Sequence, residues 1–350
     1  MTTTNSQPSI AVKGRPWKSS RTAVLIAAMS TIACFAVAAL IVVVTPLAGI
    51  PGIALIAVPM SCVVSFLRGR SAGTNAAVNS AVSSLVVSAT GILFAPWISI
   101  FVTLVQRGHS AIYRGFFTHD MRVTAPDDAL TSGGIKHAIV GTLIMVVGAA
   151  IVAVPLGVVT AIYITEIRGR FTKIVRFLVQ AMSGVPSIVA GLFIYAVLVV
   201  QVKQFTGLAG ALSLAILMIP TVARTSEEVL RLVSEDLRYG AYALGSSQSS
   251  NIFRVVLPAV RSGLVTSAIL GVARVAGETA PLLVTAQYFV ATKMNPVSGP
   301  IASLPVMTYS LLQTGTENSV ARAWATALTL IVLVAVLFVF ARLTSRGRKR

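Results

Sequence analysis

The feature that most limits the fold of this chain is a run of uncharged, mostly apolar residues from Thr22 to Leu67. A transmembrane helix needs about 20 apolar residues, so this run can cross a bilayer twice. Pro46 and Pro51 lie near its middle and favour a turn there. The run is also far longer than the core of a secretory signal, which has about 7 to 15 residues. We therefore predict a transmembrane helical hairpin over residues 22–67.

Composition extends the membrane prediction to the rest of the chain. The 350 residues are 55% hydrophobic and only 11% charged, whereas about 25% of residues are charged in soluble domains. Helices satisfy the backbone hydrogen bonds of a chain in lipid, so we predict an all-α membrane protein with about eight transmembrane helices. Residues 295–315 contain three prolines and predict a short surface or re-entrant helix instead of a ninth span. The six spans after the hairpin are predicted at 82–105, 138–165, 177–200, 207–222, 264–290 and 322–341.

The basic residues predict the orientation. There are 28 Lys and Arg against 10 Asp and Glu, a net charge of +18, which in a soluble protein would suggest a nucleic-acid partner. Here most of them lie in the loops that face the cytoplasm if the N-terminus is inside, as the positive-inside rule requires. We predict a multi-pass protein of the bacterial plasma membrane with both termini cytoplasmic, in contact with lipid and not with nucleic acid. Cys34 and Cys62 lie in apolar runs and predict neither a disulfide nor a metal site.

The segment 224–258, which we call the coupling loop, has a pattern of its own. Leu230, Val233 and Leu237 recur at helical spacing, with more apolar residues as far as Leu244. Gly245 suits a left-handed helix cap. We predict one amphipathic helix, a turn, and a second helix over residues 251–257 that a proline interrupts. A solvated connection between two spans is the alternative.

Arg274 and Glu278 are ionisable residues inside a predicted span. A charge at the bilayer centre costs about 2.5 to 3.5 kcal/mol on insertion scales, so such residues are candidates for a functional site. Their i, i+4 spacing predicts that both lie on one helix face. Pro281 lacks an N–H group and predicts a bend beside them. From the residues alone, a structural ion pair and a substrate site are equally good interpretations.

The coupling loop resembles that of ABC-importer permeases, in which a Glu-Ala-Ala-containing helix docks into a groove of the ATPase subunit. The similarity rests on Gly245 and on the segment that ends with Leu257 and Pro258. Aligned on Gly245, the Glu-Ala-Ala motif falls on Tyr239, Gly240 and Ala241, so only the last residue agrees. Glu235 or Asp236 could replace the missing glutamate. Alternatively, Tyr239 could act as a hydrophobic anchor.

Residues 273–283, Ala-Arg-Val-Ala-Gly-Glu-Thr-Ala-Pro-Leu-Leu, resemble a segment of phosphate-importer permeases of the PstA type. Gly184–Leu192 is similar to a second motif of that family, and 138–143 and 116–118 also fit. The resemblance implies a six-helix ABC-importer type I permease core at 82–343, preceded by the extra hairpin. The remaining segments would be a cytoplasmic N-terminus at 1–21, a cytoplasmic linker at 68–81 and a basic tail at 344–350.

The resemblance also implies a function and partners. Arg274, Glu278, Thr279 and Ser187 would contact the translocated phosphate. The partners would be a second permease (PstC type), two ATPase subunits (PstB type) and an extracytoplasmic phosphate-binding protein (PstS type), which loop 107–136 would receive. The sequence contains no Gly-x-x-x-x-Gly-Lys-Ser/Thr motif. We therefore expect a transport subunit that is not an enzyme, binds no cofactor or metal, and depends on ATP hydrolysis by a partner.

Three alternatives remain from the sequence. A receptor or assembly protein without transport would explain the spans but not the buried charges. The chain could carry another oxyanion, sulfate or molybdate. It could also be a proton-coupled secondary transporter with Glu278 as the proton site. For phosphate, Glu278 would neutralise and orient Arg274 at rest and accept a hydrogen bond from the proton of hydrogen phosphate, which sulfate lacks.

Overall fold

The computed structural model describes residues 21–44 and 49–345, and every regular element in these two ranges is a helix. An all-α fold was predicted, and it is confirmed. The predictions for residues 1–20, for the turn at 45–48 and for the tail at 346–350 lie outside the described residues. The chain divides into two compact units, with the boundary between Val102 and Thr103.

The first unit contains two adjacent helices where the hairpin was predicted, and the turn between them lies outside the described residues. Arg68 donates a hydrogen bond to Ser30 Oγ at 2.9 Å and so joins the second helix to the first. Most of the predicted linker at 68–81 is helical, because the third helix begins at Thr74 and continues across the unit boundary. The elements are α1 Arg21–Val44, α2 Gly49–Gly69, a 3-10 turn at Arg70–Ala72, and α3 Thr74–Gly108.

The second unit contains the other twelve helices of the described chain, several of them short. Three π-helical turns, at Tyr163–Ile167, Tyr195–Val199 and Ile252–Val256, connect some of them. The helices are α4 Lys136–Ile162, α5 Thr172–Ser183, α6 Ser187–Ile194, α7 Val200–Val202, α8 Gly207–Arg231, α9 Glu235–Ala243, α10 Gln248–Asn251, α11 Leu257–Ala259, α12 Arg261–Ala276, α13 Ala280–Thr285, α14 Leu304–Thr314 and α15 Glu317–Ser345.

Within the described ranges, six helices are long and apolar enough to cross a membrane, and two bent helix pairs raise the total to eight. One pair, α5 with α6–α7, bends by 102°, so the predicted span 177–200 is broken. The other, α10–α11 with α12, bends by 73°. The predicted span 264–290 is wrong as a single helix, since α12 ends at Ala276. Residues 295–315 form the short helix α14, as predicted.

Helix α8 is longer than its predicted span at 207–222 and continues to Arg231. Two i, i+4 ion pairs lie in its last turns, Arg224 with Glu228 and Glu227 with Arg231. Such pairs stabilise a helix where it leaves the apolar region. Helix α8 therefore forms one continuous element from the membrane core into the coupling loop.

Close packing of α4 against α8 forms the core of the second unit. Met145 of α4 is buried with Leu214 and Met218 of α8. Small residues permit this approach, since a Cβ atom on Gly157 would lie 2.8 Å from a side-chain carbon of Val222. Small residues at helix contacts are the usual way in which membrane helices approach closely.

Loop 107–136 is a packed layer at one end of the second unit. Phe116, part of the motif at 116–118, is buried with Met307 and Leu311 of α14. Its carbonyl accepts a hydrogen bond from the N–H of Ile135 at 2.8 Å, just before α4 begins. The motif therefore serves to anchor the loop.

A second anchor of loop 107–136 is Arg322 of α15, which is buried. The guanidinium group lies inside the bend of the loop and satisfies backbone acceptors that would otherwise lack partners. It donates hydrogen bonds at 2.6 to 3.2 Å to the carbonyls of Ala125, Pro126, Ala129 and Ser132.

Asp120 attaches the same loop to residue 292. Its carboxylate accepts hydrogen bonds from the N–H and the hydroxyl of Thr292 at 3.1 and 3.3 Å. Partial burial alone would raise the pKa of Asp120, but these hydrogen bonds, the N–H of Arg122 and the charge of Arg122 together lower the pKa below its usual value. Asp120 is therefore charged at neutral pH and holds the loop by charge-assisted hydrogen bonds.

The contact between α4 and the segment before α14 can be tested at Gly141. A Cβ atom there would overlap the carbonyl oxygen of Ala302, and the neighbouring Thr142 hydroxyl accepts a hydrogen bond from Leu304 N at 2.8 Å. We expect Gly141→Ala to destabilise the protein by about 1 to 3 kcal/mol because backbone must move. The loss would be measured as a lower Tm in detergent.

Gly91→Ala is the matched control, because a Cβ atom at Gly91 of α3 meets nothing within 4 Å. It should leave Tm unchanged or raise it slightly, since alanine favours a helix over glycine. Equal Tm values for wild type and Gly141→Ala would contradict the close contact.

Candidate functional site

The predicted site around Arg274 and Glu278 lies where α12 breaks. Helix α12 ends at Ala276, and the N–H of Glu278 bonds to the carbonyl of Val275 at 3.1 Å. A new helix, α13, begins at Ala280 with Pro281 in its first turn. The predicted bend is confirmed and is in fact a break, because a glycine and a proline without an N–H group stand close together.

Because the helix ends between them, Arg274 and Glu278 do not share a helix face, and the prediction from their i, i+4 spacing is wrong. Arg274 is exposed and donates a hydrogen bond from Nη1 to Thr221 Oγ1 of α8 at 2.8 Å. Glu278 is half-buried. No salt bridge within 4.0 Å joins the two residues in the part of the chain described here. The expected neutralisation of Arg274 by Glu278 is therefore not present in this conformation.

Ser187 lies at the start of α6, directly after the break between α5 and α6. The backbone turns at Gly184-Val185-Pro186, the centre of the second motif. Helix α6 contacts α13, since a Cβ atom on Gly191 would lie 2.6 Å from Pro281 Cα. The two breaks thus lie near each other, because α6 and α13, the short helices that begin at them, are in contact.

Both breaks are open on one side. Gly184 and Gly277 are exposed, and a Cβ atom on Gly277 would meet nothing within 4 Å. Ser187, Glu278 and Thr279 are half-buried. Backbone without helical partners is tolerated at membrane depth only where protein or water covers it. This face can therefore line a polar path or contact another subunit, but it does not suit lipid.

The coupling loop differs from the predicted single amphipathic helix. Helix α8 ends at Arg231, and α9 begins at Glu235 with Tyr239, Gly240 and Ala241 inside it. Leu230 and Val233 are buried, but Leu244 is 90% exposed, so the apolar pattern covers two surfaces and not one. The break between α8 and α9 lies at 232–234, and Ser234 is the N-cap residue of α9.

The end of α9 agrees with the prediction for Gly245. Its φ of 76° is left-handed, a conformation that glycine adopts without strain. Gly245 N bonds to Tyr242 O at 2.9 Å and Ser246 N to Ala241 O at 3.1 Å, the two bonds of a Schellman cap. Leu257 and Pro258 lie in α11, directly before the 73° bend into α12.

Tyr239 projects outward with 64% of its surface exposed. It is therefore not an anchor within this chain. Glu235 and Asp236 form no salt bridge within the described residues, so neither replaces the missing glutamate inside the chain. Leu244 and Tyr242 are also exposed, which leaves an apolar surface at the end of the loop.

The residues that hold the coupling loop are Arg238 and Glu166, which sequence reasoning missed. Arg238 bonds to both carboxylate oxygens of Glu166, at 2.8 and 3.2 Å, and to the carbonyls of Leu230 and Val233. Gln248 Nε2 donates a hydrogen bond to the Glu166 carbonyl at 3.1 Å. The only signal in the sequence was a glutamate followed by four basic residues, and nothing local indicated its partner.

Comparison with known proteins agrees with this geometry. Residues 153–350 match the family model described as the binding-protein-dependent transport system inner membrane component. The phosphate transport system permease protein PstA 1 of Mycobacterium tuberculosis is 39% identical over 257 residues, which cover 73% of this chain and 82% of the relative. The probable phosphate transport system permease protein PstA of Methanocaldococcus jannaschii is 33% identical, over 73% of this chain and 89% of the relative.

A solved structure of the MetNI methionine ABC transporter, in an inward-facing conformation, has a similar fold. Its TM-score is 0.50 at 18% sequence identity, and the alignment covers 62% of this chain and 94% of that chain. This likeness concerns the fold alone. The family model and the PstA relatives confirm the resemblance seen in the sequence motifs. The chain belongs to the family of binding-protein-dependent transport system inner membrane components.

Proposed function

We propose that this chain is the PstA-type permease subunit of an ATP-driven phosphate importer in the bacterial plasma membrane, with both termini cytoplasmic. The observation that carries the proposal is Arg274, a guanidinium at a helix break that has a hydroxyl partner but, among the described residues, no carboxylate partner. An arginine keeps its charge when desolvated and offers a planar set of donors that fits phosphate oxygens. The relatives named as phosphate permeases support the choice of this anion.

The path would form along the open face of the two breaks. Ser187, Thr279 and the exposed backbone near Gly277 offer hydrogen-bond groups there. We propose that a second permease of the PstC type covers this face, so that the oxyanion passes between two subunits. Residues 82–343 would form the permease domain and residues 22–67 an accessory hairpin. A phosphate-binding protein of the PstS type would dock on loop 107–136.

ATP would be hydrolysed by two partner subunits of the PstB type that contact the coupling loop. The exposed Tyr239, Tyr242 and Leu244 supply an apolar contact surface on α9. Tyrosine is common among the residues that dominate binding at protein interfaces. In this proposal Tyr239 contacts the ATPase directly, while Glu166 performs the structural task of holding the loop.

The role of Arg274 can be tested by Arg274→Ala in the assembled complex. Loss of a charged hydrogen-bond donor is expected to lower ATP-driven uptake of labelled phosphate in proteoliposomes about tenfold to a hundredfold. Arg274→Lys keeps the charge but loses the planar fork and should be intermediate. Arg70→Ala, at an exposed arginine of the first unit, should keep normal uptake. Wild-type uptake by Arg274→Ala would make the residue structural and refute the proposed path.

The role of Glu278 can be tested by competition between phosphate and sulfate. If the carboxylate accepts the proton of hydrogen phosphate, Glu278→Gln should reduce the preference for phosphate over sulfate about tenfold, the worth of a charged hydrogen bond. Uptake of labelled phosphate would be measured with increasing unlabelled sulfate. A preference equal to that of the wild type would remove Glu278 from anion selection.

The contact surface on α9 can be tested by Tyr239→Ala. Truncation of a central interface tyrosine costs about 2 kcal/mol or more, so we expect about thirtyfold weaker association with the ATPase subunit. The readout is the amount of ATPase that co-purifies with the full-length chain. Val123→Ala, at a 93% exposed residue of loop 107–136, is the control and should co-purify normally. Equal co-purification for both variants would place the ATPase contact elsewhere.

A further inference from the structure

We propose that a basic cavity beside the coupling loop binds the phosphate group of an anionic ligand, at a site separate from the transport path. The cavity has a volume of about 780 Å³ and lies between the end of α4, the start of α5 and the junction of α8 with α9. Its size is within the range of small-molecule sites, about 300 to 1,000 Å³. Its cationic lining consists of Arg168, Arg170, Lys173, Arg176, Arg231 and Arg238.

The positive charge of this cavity is only partly neutralised, because Glu227 pairs with Arg176 and Arg231, and Glu166 pairs with Arg238. Glu235 is the one carboxylate of its lining among the described residues. Arg168, Arg170 and Lys173 form no salt bridge within 4.0 Å in the part of the chain that the structure describes. Arg168 donates a hydrogen bond from Nε to the carbonyl of Thr165 at 2.8 Å. Because this partner is uncharged, it does not neutralise the positive charge of Arg168.

Arg176 supplies an independent reason to expect that the cavity can accept an anion. It lies 3.2 Å from Glu227, but Glu227 also pairs with Arg231, so two guanidinium groups share one carboxylate. Arg176 Nε is buried and has no hydrogen-bond partner. A buried donor without a partner destabilises the protein, and an additional acceptor would relieve this cost.

Hydrogen bonds hold the frame of the cavity in place. Arg238 is held by both oxygens of Glu166 and by two carbonyls, so it shapes one wall without needing a further ligand. Arg168 has a left-handed φ of 51° and Thr172 Oγ1 bonds to Gly169 O at 2.7 Å, which fixes the turn between α4 and α5. A site whose walls are already held loses little entropy on binding.

The position of the cavity limits the source of the phosphate group. The candidate span that contains α4 ends at Ile167, one residue before the first cation of the lining. Arg170 lies 4.5 Å above the exposed ring of Phe171, an arrangement suited to a membrane boundary. The cavity is therefore at the level where an anionic lipid headgroup and dissolved inorganic phosphate can both reach it. Both offer the same phosphate oxygens to arginine.

The cavity is distinct from the proposed path at Arg274. Thr221, the partner of Arg274, and Arg231, which lines the cavity, are on the same helix α8. Ten residues of helix separate them, about 15 Å at 1.5 Å per residue. Loss of phosphate binding at one site therefore need not affect the other.

The experiment uses the full-length chain with Arg274→Ala, which removes the proposed transport contact, and adds Arg170→Gln or Lys173→Gln. In phosphatidylcholine nanodiscs, binding of radiolabelled inorganic phosphate is measured. In nanodiscs that also contain phosphatidylglycerol, the number of retained phosphatidylglycerol molecules is measured by native mass spectrometry. A cation at a membrane surface contributes about 1 kcal/mol to anionic-lipid attraction, so each variant should weaken binding about fivefold in one of the two arms.

Arg70→Gln removes one exposed cation outside the cavity, so it should leave phosphate binding unchanged and should reduce phosphatidylglycerol retention less than the cavity variants do. Lys173→Arg keeps the charge and should bind as the parent does, which excludes misfolding as the cause of a loss. A selective loss in the lipid arm identifies a headgroup, and a selective loss in the phosphate arm identifies inorganic phosphate.

Unchanged binding in both arms would overturn the inference, as would an equal loss for Arg70→Gln. Co-purification of the ATPase subunit is measured with the same variants. If that falls while both binding arms stay constant, the cations bind an acidic surface of the partner protein and the proposed anion site is wrong. Uptake by the chain without the Arg274 change tests the proposed function separately.

Discussion

The structure depends on the rule that a backbone in lipid must satisfy its own hydrogen bonds. Continuous helices obey this rule but offer no backbone group for binding. The helices are interrupted at Gly184-Val185-Pro186 and at Gly277-Glu278-Thr279, and the short helices that follow these two breaks contact each other. Glycine and proline thus position the polar groups of the proposed path, because they interrupt the helices at an exposed face of the chain.

A second constraint concerns the coupling loop, which must remain ordered outside the apolar region. Arg238 and Glu166 meet this requirement by forming a bidentate salt bridge. It joins α9 to the π-helical turn that follows α4. The carboxyl side chain of Glu166 is only 7% exposed, which strengthens the interaction compared with a surface pair. The loop is therefore attached to two helices at once, α4 through Glu166 and α8 through the backbone.

Much of the fold could be predicted from the sequence, because the charge-free runs and the Gly and Pro positions report directly on helices and their ends. The two helices of the first apolar run, the short helix α14, the cap at Gly245 and the bend near Pro281 were predicted correctly. Predictions from periodicity were wrong where a helix ended earlier than the sequence pattern did. Arg274 and Glu278 have i, i+4 spacing in the sequence, but α12 ends between them, so they do not share a helix face. The break at 232–234 also interrupted a pattern that looked continuous from Leu230 to Leu244.

Long-range contacts were beyond sequence reasoning. Arg238 and Glu166 are far apart in the chain, as are Arg322 and the carbonyls of loop 107–136. Each residue taken alone resembles an ordinary basic or acidic side chain near the end of a span. Only the fold shows that Arg322 organises a loop, that Arg238 fixes another, and that Arg274 has a hydroxyl partner.

The continuity of α8 has a mechanical consequence. The helix runs unbroken from Gly207 to Arg231, about 38 Å at 1.5 Å per residue, and carries Thr221 in its interior. Its far end is joined to α9 by the hydrogen bond from Arg238 to the Leu230 carbonyl, so a displacement of α9 would be passed along α8 toward Thr221. Pro220 lacks an N–H group, so α8 is without one backbone hydrogen bond just before Thr221. Arg274 sits on a different helix and would not follow at the same rate. Relative motion of α8 and α12 would therefore stretch or break the 2.8 Å hydrogen bond between Thr221 and Arg274.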